Sequence, residues 1–242
     1  MEAIFTEIYN TNAWGCQETV SGPSSTLERT QELRDRLPEI FQELEIQSII
    51  DCGCGDWNWM KTVKLTGIQY IGLEIVQPLV EILQSQFSSA TVKFEKLNIL
   101  QEPPETGDLW LARDLLCFFS SKEIKRFFEI FLDSKSKFLA ISTVDTEQPF
   151  QGSLSGHWKP LDLFKEPFRM PEPMLEIPDG HQWFRPKKLV VFNRQQIYEW
   201  LIVRSSRLEA ASQRQEDDKQ DRNAHLVSNV PLSEVTLHVR KG

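Results

Sequence analysis

Hydrophobic positions change their period along the chain. Between Thr26 and Leu44 the apolar residues Leu33, Leu37, Ile40, Phe41 and Leu44 recur at three and four positions, the stripe of an amphipathic helix. Pro38 interrupts that stripe, which predicts either a kink or a second short helix opening there, where a missing backbone donor costs little. Five apolar runs follow, QSIID, IQYIGLEIV, TVKFEKLNI, DLWLARDLL and KFLAISTV, each rich in branched or aromatic side chains and each read as a strand. Between them, helical spacing falls at residues 59–64, 78–87 and 121–132. The last of these shows a core face of Ile124, Phe127, Phe128 and Phe131, with Ser120 or Ser121 as its cap.

Near-continuous apolar strands that alternate with helices predict an α/β fold: a doubly wound, mostly parallel sheet with helices on both faces and right-handed crossovers. Ligands of such sheets bind outside the carboxyl ends of the strands, so the residues just after each strand are the ones to watch. Beyond Val144 the regular periods fade, and the proline- and aromatic-rich stretch at about 145–186 reads as an irregular lid. LVVFN, from Leu189 to Asn193, is a further strand candidate, residues 195–202 a helical turn or two, and the final VTLHVRKG an edge strand, bringing the sheet to seven. The charge-alternating run at 204–223 has almost no apolar side chains and reads as an exposed helix or a disordered segment. The expected organisation is an N-terminal arm and helix at 1–45, a core at 46–203 and a charged C-terminal segment at 204–242.

Composition narrows the field. A chain of 242 residues, 40% hydrophobic, fits one decorated domain with a substantial core. The formal net charge of -8 provides no general basic field, and no local basic patch compensates, so neither nucleic acid nor an anionic membrane is an expected partner. Residues 1–14 lack a basic start with an apolar run, and no later run approaches the roughly 18 apolar residues of a spanning helix. A soluble, cytoplasmic protein is therefore expected. The four cysteines read as reduced thiols. Cys52 and Cys54 form C-x-C, the wrong spacing for paired zinc knuckles and without further ligands nearby, so no metal is expected.

The candidate chemistry lies in IIDCGCGDWNWM, Ile49 to Met60. A strand that ends in an acid and enters G-x-G lets a ligand approach bare backbone at Gly53 and Gly55. Glu74, near the end of the next strand, follows Asp51 by 23 positions (74 − 51), close to the roughly 20-residue offset at which an acid meets a ribose hydroxyl pair. The dinucleotide fingerprint needs a third glycine three residues after Gly55, where this chain has Asn58 between Trp57 and Trp59. Indoles there would crowd a pyrophosphate, whereas the sulfonium and amino-acid tail of S-adenosylmethionine make no such demand.

These residues resemble the first motif of class I S-adenosylmethionine-dependent methyltransferases, and the likeness continues in order through YIGLEIV, FEKLNIL and DLWLARDLLCFFS. The chain also resembles a bacterial subgroup in YNTNAWGCQETVSGPSSTLE and GHWKPLDLFKEPFRMPEPMLEIPDG, extending the likeness to about Phe192. The resemblance implies a Rossmann-like seven-stranded sheet and S-adenosylmethionine as cofactor. It implies that Gly53 and Gly55 border the methionine portion, that Asp51 steadies the turn or meets the amino group, and that Glu74 takes the ribose hydroxyls. Asn98 stands where the family usually has an aspartate facing the adenine amine, and Trp14 is a candidate wall of the cofactor site. Asp114 falls where donor and acceptor meet, and Phe118 replaces the histidine common in the subgroup. Asp114 and His157 are the candidate bases, and Trp158, Lys159, Arg169 and His181 the candidate acceptor-binding residues. The expected activity is O-methylation of a small polar molecule, a saccharide or secondary metabolite. N-methylation and a non-catalytic cofactor-binding regulatory module are the alternatives. Methylation of DNA bases is disfavoured, since ARDLLCFF stands where an N-P-P-[YF] motif belongs.

Overall fold

A computed structural model describes residues 1–180 and 186–203. Strands β1 (Ser48–Cys52), β2 (Gln69–Glu74), β3 (Val92–Lys96), β4 (Leu109–Ala112), β5 (Phe138–Val144), β6 (Leu175–Pro178) and β7 (Lys187–Asn193) form one sheet in the order β3-β2-β1-β4-β5-β7-β6. The first five are mutually parallel, whereas β7 runs antiparallel to both β5 and β6. The chain builds outward from β1 to β3, then returns to lay β4 on the other side of β1. This reversal opens a crevice at the carboxyl ends of β1 and β4, the place where such sheets hold ligands.

Both sheet faces are covered, and the alternation of side chains along β4 shows how. Leu109 and Leu111 join the core formed by Leu33, Leu37, Ile40 and Phe41 of α2 (Gln31–Glu43). Trp110, one residue out of phase, turns to the opposite face and meets Phe127 and Phe131 of α4 (Ser121–Asp133) at ring-centroid distances of 5.7 and 5.5 Å. A further helix, α3 (Gln77–Phe87), begins with a proline in its first turn and buries Leu79, Val80 and Leu83.

Several elements depart from the expected pattern. Of the two readings of Pro38, the second short helix is not formed: α2 runs through it as one helix, with its buried stripe on both sides. The segment at 59–64 contracts to a 3-10 turn, Met60–Thr62. An unforeseen helix, α1 (Glu2–Thr11), occupies the N-terminal arm, with no residue of its own fully buried. The other unforeseen element is β6, four residues long and ending in a proline, which suits an edge strand where no further ladder donor is required. VTLHVRKG and the charged run at 204–223 lie outside the described residues. Among the described residues no helix is long and apolar enough to cross a membrane.

Candidate active site

The turn after β1 is built around two glycines at positive φ, 80° at Gly53 and 57° at Gly55. The Gly53 and Cys54 amides both donate to the Leu73 carbonyl, at 2.9 and 3.0 Å, tying the turn to β2. A Cβ at Gly55 would lie 2.2 Å from Ser21 Oγ, so only glycine fits. Asp56 explains that close approach: its carboxylate accepts from Thr19 Oγ1, Ser21 Oγ and the Val20 amide, each at 2.9 Å, pinning residues 19–21 over the turn. Asn58 extends the clasp through Nδ2, which donates to Glu18 Oε1 at 2.7 Å and to the Ser25 carbonyl at 3.2 Å. The two tryptophans part company, Trp59 lining the cavity beside the turn and Trp57 leaving it. Trp57 turns into the core against Tyr70, Phe87 and Phe94, at centroid distances of 5.7, 5.3 and 5.1 Å.

A cavity of about 810 Å³ spans the strand tips, and Trp14, Asp51, Gly53, Gly55, Glu74, Asn98 and Asp114 all line it. Its size lies within the roughly 300–1,000 Å³ of small-molecule sites. Two buried carboxyls face it from the ends of β1 and β2. Asp51 accepts a 2.6 Å hydrogen bond from the Tyr70 hydroxyl, and burial pushes its pKa up to about 7 against the opposing pull of Tyr70 and Arg113. Glu74 accepts from the amides of Gly55, Ile75 and Val76 at 3.1, 2.7 and 3.0 Å. Burial still raises its pKa, with those three amides working in the other direction. Asn98 Oδ1 accepts from the Leu100 amide at 3.1 Å, at the tip of β3.

Beyond β4 the wall becomes a charge network. Arg113 forks onto Asp179, with Nε and Nη2 at 2.9 and 2.8 Å from the two carboxylate oxygens, donates to the Ser24 carbonyl at 2.7 Å, and lies 5.3 Å from the Trp59 ring centroid. Lys187 joins this pair to Asp114, at 3.0 Å from Asp179 and 2.7 Å from Asp114. Burial alone would raise the Asp114 pKa, but the Lys187 ammonium and the Arg113 guanidinium outweigh it and hold the carboxyl well below its usual range. Asp114 is therefore a firmly ionised anion and a weak proton acceptor.

Of the acceptor-side candidates, Trp158 lines the cavity. His157 is exposed and outside the lining. Lys159 turns its ammonium to the Leu154 carbonyl, and Arg169 pairs at the surface with Glu166 at 2.7 Å. His181 lies outside the described residues. Among the described residues no three histidine, cysteine or acidic side chains gather as metal ligands. The residues that sequence reading missed are Asp56, Asp179 and Lys187. The IPDG sequence after β6 carried the one local signal for Asp179, an acid beside glycine at a strand end.

No protein-family description and no curated protein matches the sequence. Solved structures do match its shape. The pyocyanin biosynthetic protein PhzM superposes with a TM-score of 0.56 at 12% identity, over 77% of this chain and 61% of that one. Magnesium protoporphyrin IX methyltransferase ChlM from Synechocystis PCC 6803 with bound SAM gives 0.53 at 11% identity, over 78% and 95%. The methyltransferase domain of bacterial CtHen1-CN gives 0.51 at 14% identity, over 68% and 98%. The fold is that of the class I S-adenosylmethionine-dependent methyltransferases.

Proposed function

We propose that the protein transfers a methyl group from S-adenosylmethionine to an oxygen of a small-molecule acceptor. The observation that carries this reading is a cavity whose wall brings together Gly53, Gly55, Glu74 and Asn98, residues from the tips of three neighbouring parallel strands. The cradle fits the group. A Cβ would strike Ser21 at Gly55 and come within 3.1 Å of Leu115 at Gly53, so the bare backbone is what lets these cavity-lining side chains close on the turn. In this reading Glu74 accepts a ribose hydroxyl at the one acceptor position its three backbone bonds leave on Oε2, Asn98 accepts the adenine amine, and Asp51 takes the amino group. Trp14 covers the cofactor from the N-terminal side.

When bound, S-adenosylmethionine supplies a methyl group already activated by its positive sulfur. What remains for the protein is alignment and exclusion of water. Asp114, fixed by Lys187 and Arg113, acts in this scheme as an oriented negative charge near the positive donor, the role its lowered pKa suits better than that of a base. In the same reading residues 1–45 and the described part of the stretch at about 145–186 serve as covers for a core at 46–203. Isothermal titration of the purified protein with S-adenosylmethionine and with S-adenosylhomocysteine tests the reading. Saturable binding of both is expected, and no heat at millimolar concentrations would end it.

A further inference from the structure

Among the described residues the acceptor end of the cavity presents no base for an aliphatic alcohol. Among the described residues lining it there is no histidine. Asp114 and Asp179 are each tied to Arg113 and Lys187. The two carboxyls that burial raises, Asp51 and Glu74, belong to the glycine-turn side, where one holds the Tyr70 hydroxyl and the other three backbone amides. A sugar hydroxyl, whose proton leaves only to a positioned base, finds none beyond β4 among the described residues.

Ring-bearing side chains dominate another part of the same lining. Phe118 meets Phe5 edge-on at 5.2 Å and Trp14 at 6.0 Å, and Trp158 keeps 56% of its surface exposed at the rim. Lys187 adds one directed polar group. Its side chain is only 15% exposed, and its ammonium, which carries three hydrogens, meets the Asp114 and Asp179 carboxylates among the described residues.

We propose that the acceptor is a small, flat, mainly apolar molecule carrying an acidic hydroxyl of the phenol or enol class, received by the Phe118 ring set with its oxygen at the Lys187 ammonium. The inference rests on the methyltransferase reading and replaces the saccharide expected from sequence with an acceptor that supplies its own nucleophile. A phenolic hydroxyl ionises near pH 10 in water, and a neighbouring ammonium lowers that value. The hydroxyl releases its proton to water. Its oxygen lone pair then forms the new carbon–oxygen bond while the carbon–sulfur bond of the donor breaks, its electron pair remaining on sulfur as a neutral thioether.

The experiment follows transfer of a labelled methyl group from S-adenosylmethionine to 2-naphthol and, in parallel, to methyl glucoside, with donor binding measured by calorimetry on the same samples. The 2-naphthol reaction is expected to exceed the glucoside reaction at least about tenfold, the scale of one hydrogen bond to a charged group. Lys187→Met is expected to lower kcat/KM for 2-naphthol by a similar factor and to move the pH–rate profile upward, with donor affinity retained. Phe118→Ala, a milder change in the cavity wall, should raise the KM for 2-naphthol more than it lowers kcat. Donor binding with glucoside methylated as well as 2-naphthol, or with 2-naphthol left unmethylated, overturns this inference alone. Absence of donor binding overturns the methyltransferase reading and this inference with it.

Discussion

Single positions around the glycine turn carry most of what the sequence disclosed about the site. Asp51, Gly53, Gly55 and Glu74 were readable because they stand at or just past strand ends at spacings fixed by the fold's own geometry, and Asn98 through the family resemblance. Asp179 and Lys187 were not, since their partnerships with Arg113 and Asp114 cross 66 and 73 positions and depend on an edge strand too short to show a period. Gly55→Ala tests the turn directly. The substitution places a Cβ in the left-handed region, which costs about 1–2 kcal/mol, and also drives it against Ser21. A loss of at least that size in urea denaturation is expected, and the double variant with Ser21→Gly should recover part of it.

Asp51 supplies a pH signature at the same scale. Its carboxyl ionises at about 3.8 when free and at about 7 in the fold, so the folded state holds the extra proton between these values. Stability from this group is therefore greatest at low pH, falls as pH rises from about 4 to about 7, and is flat above. Asp51→Asn should reduce that slope in denaturation midpoints measured across the range. A residual slope of the same sign is expected from Glu74, whose pKa burial also raises. An unchanged slope in the variant would remove the assignment to Asp51.

At the scale of elements, legibility tracked how local the determining interactions are. α4 was visible because both its stripe and its cap are written within one helix: Ser120 Oγ accepts from the Glu123 amide, and Glu123 accepts in return from the Ser120 amide at 2.7 Å. Ser120→Ala should cost about 1 kcal/mol in chemical denaturation. Donor affinity should remain as it was, because Ser120 lies outside the cavity lining. β6 and α1 were hidden for opposite reasons. The strand exists through its pairing with β7, and its own LEIP carries no distinct pattern. The helix has a periodic sequence whose apolar face covers a cavity, so no buried stripe marks it as part of the core.

For the whole molecule, the consequence is a site whose floor and roof differ in stability. The floor is the parallel sheet with its ladders and two packed faces. The roof includes α1, which contributes Phe5, Ile8 and Tyr9 to the cavity lining and is held by a surface ion pair of Glu2 with Lys96 at 2.7 Å and by the Phe5 contacts with Trp14 and Phe118. An exposed pair of this kind contributes about 0–1 kcal/mol, and a helix without a fully buried residue opens at little cost while the sheet stays intact. A ligand that fills the cavity adds its own contacts to the inner side of α1 and closes that gap. Hydrogen exchange followed by mass spectrometry should therefore show fast exchange over residues 2–11 in the free protein and slower exchange there with S-adenosylhomocysteine present, while α4 changes little. Phe5→Ala should leave the thermal midpoint nearly unaltered yet speed ligand release by roughly tenfold, since changes at a binding surface act mainly on dissociation. Equal protection of α1 with and without ligand would show instead that the roof is part of the fixed scaffold and that ligands enter by the rim at Trp158.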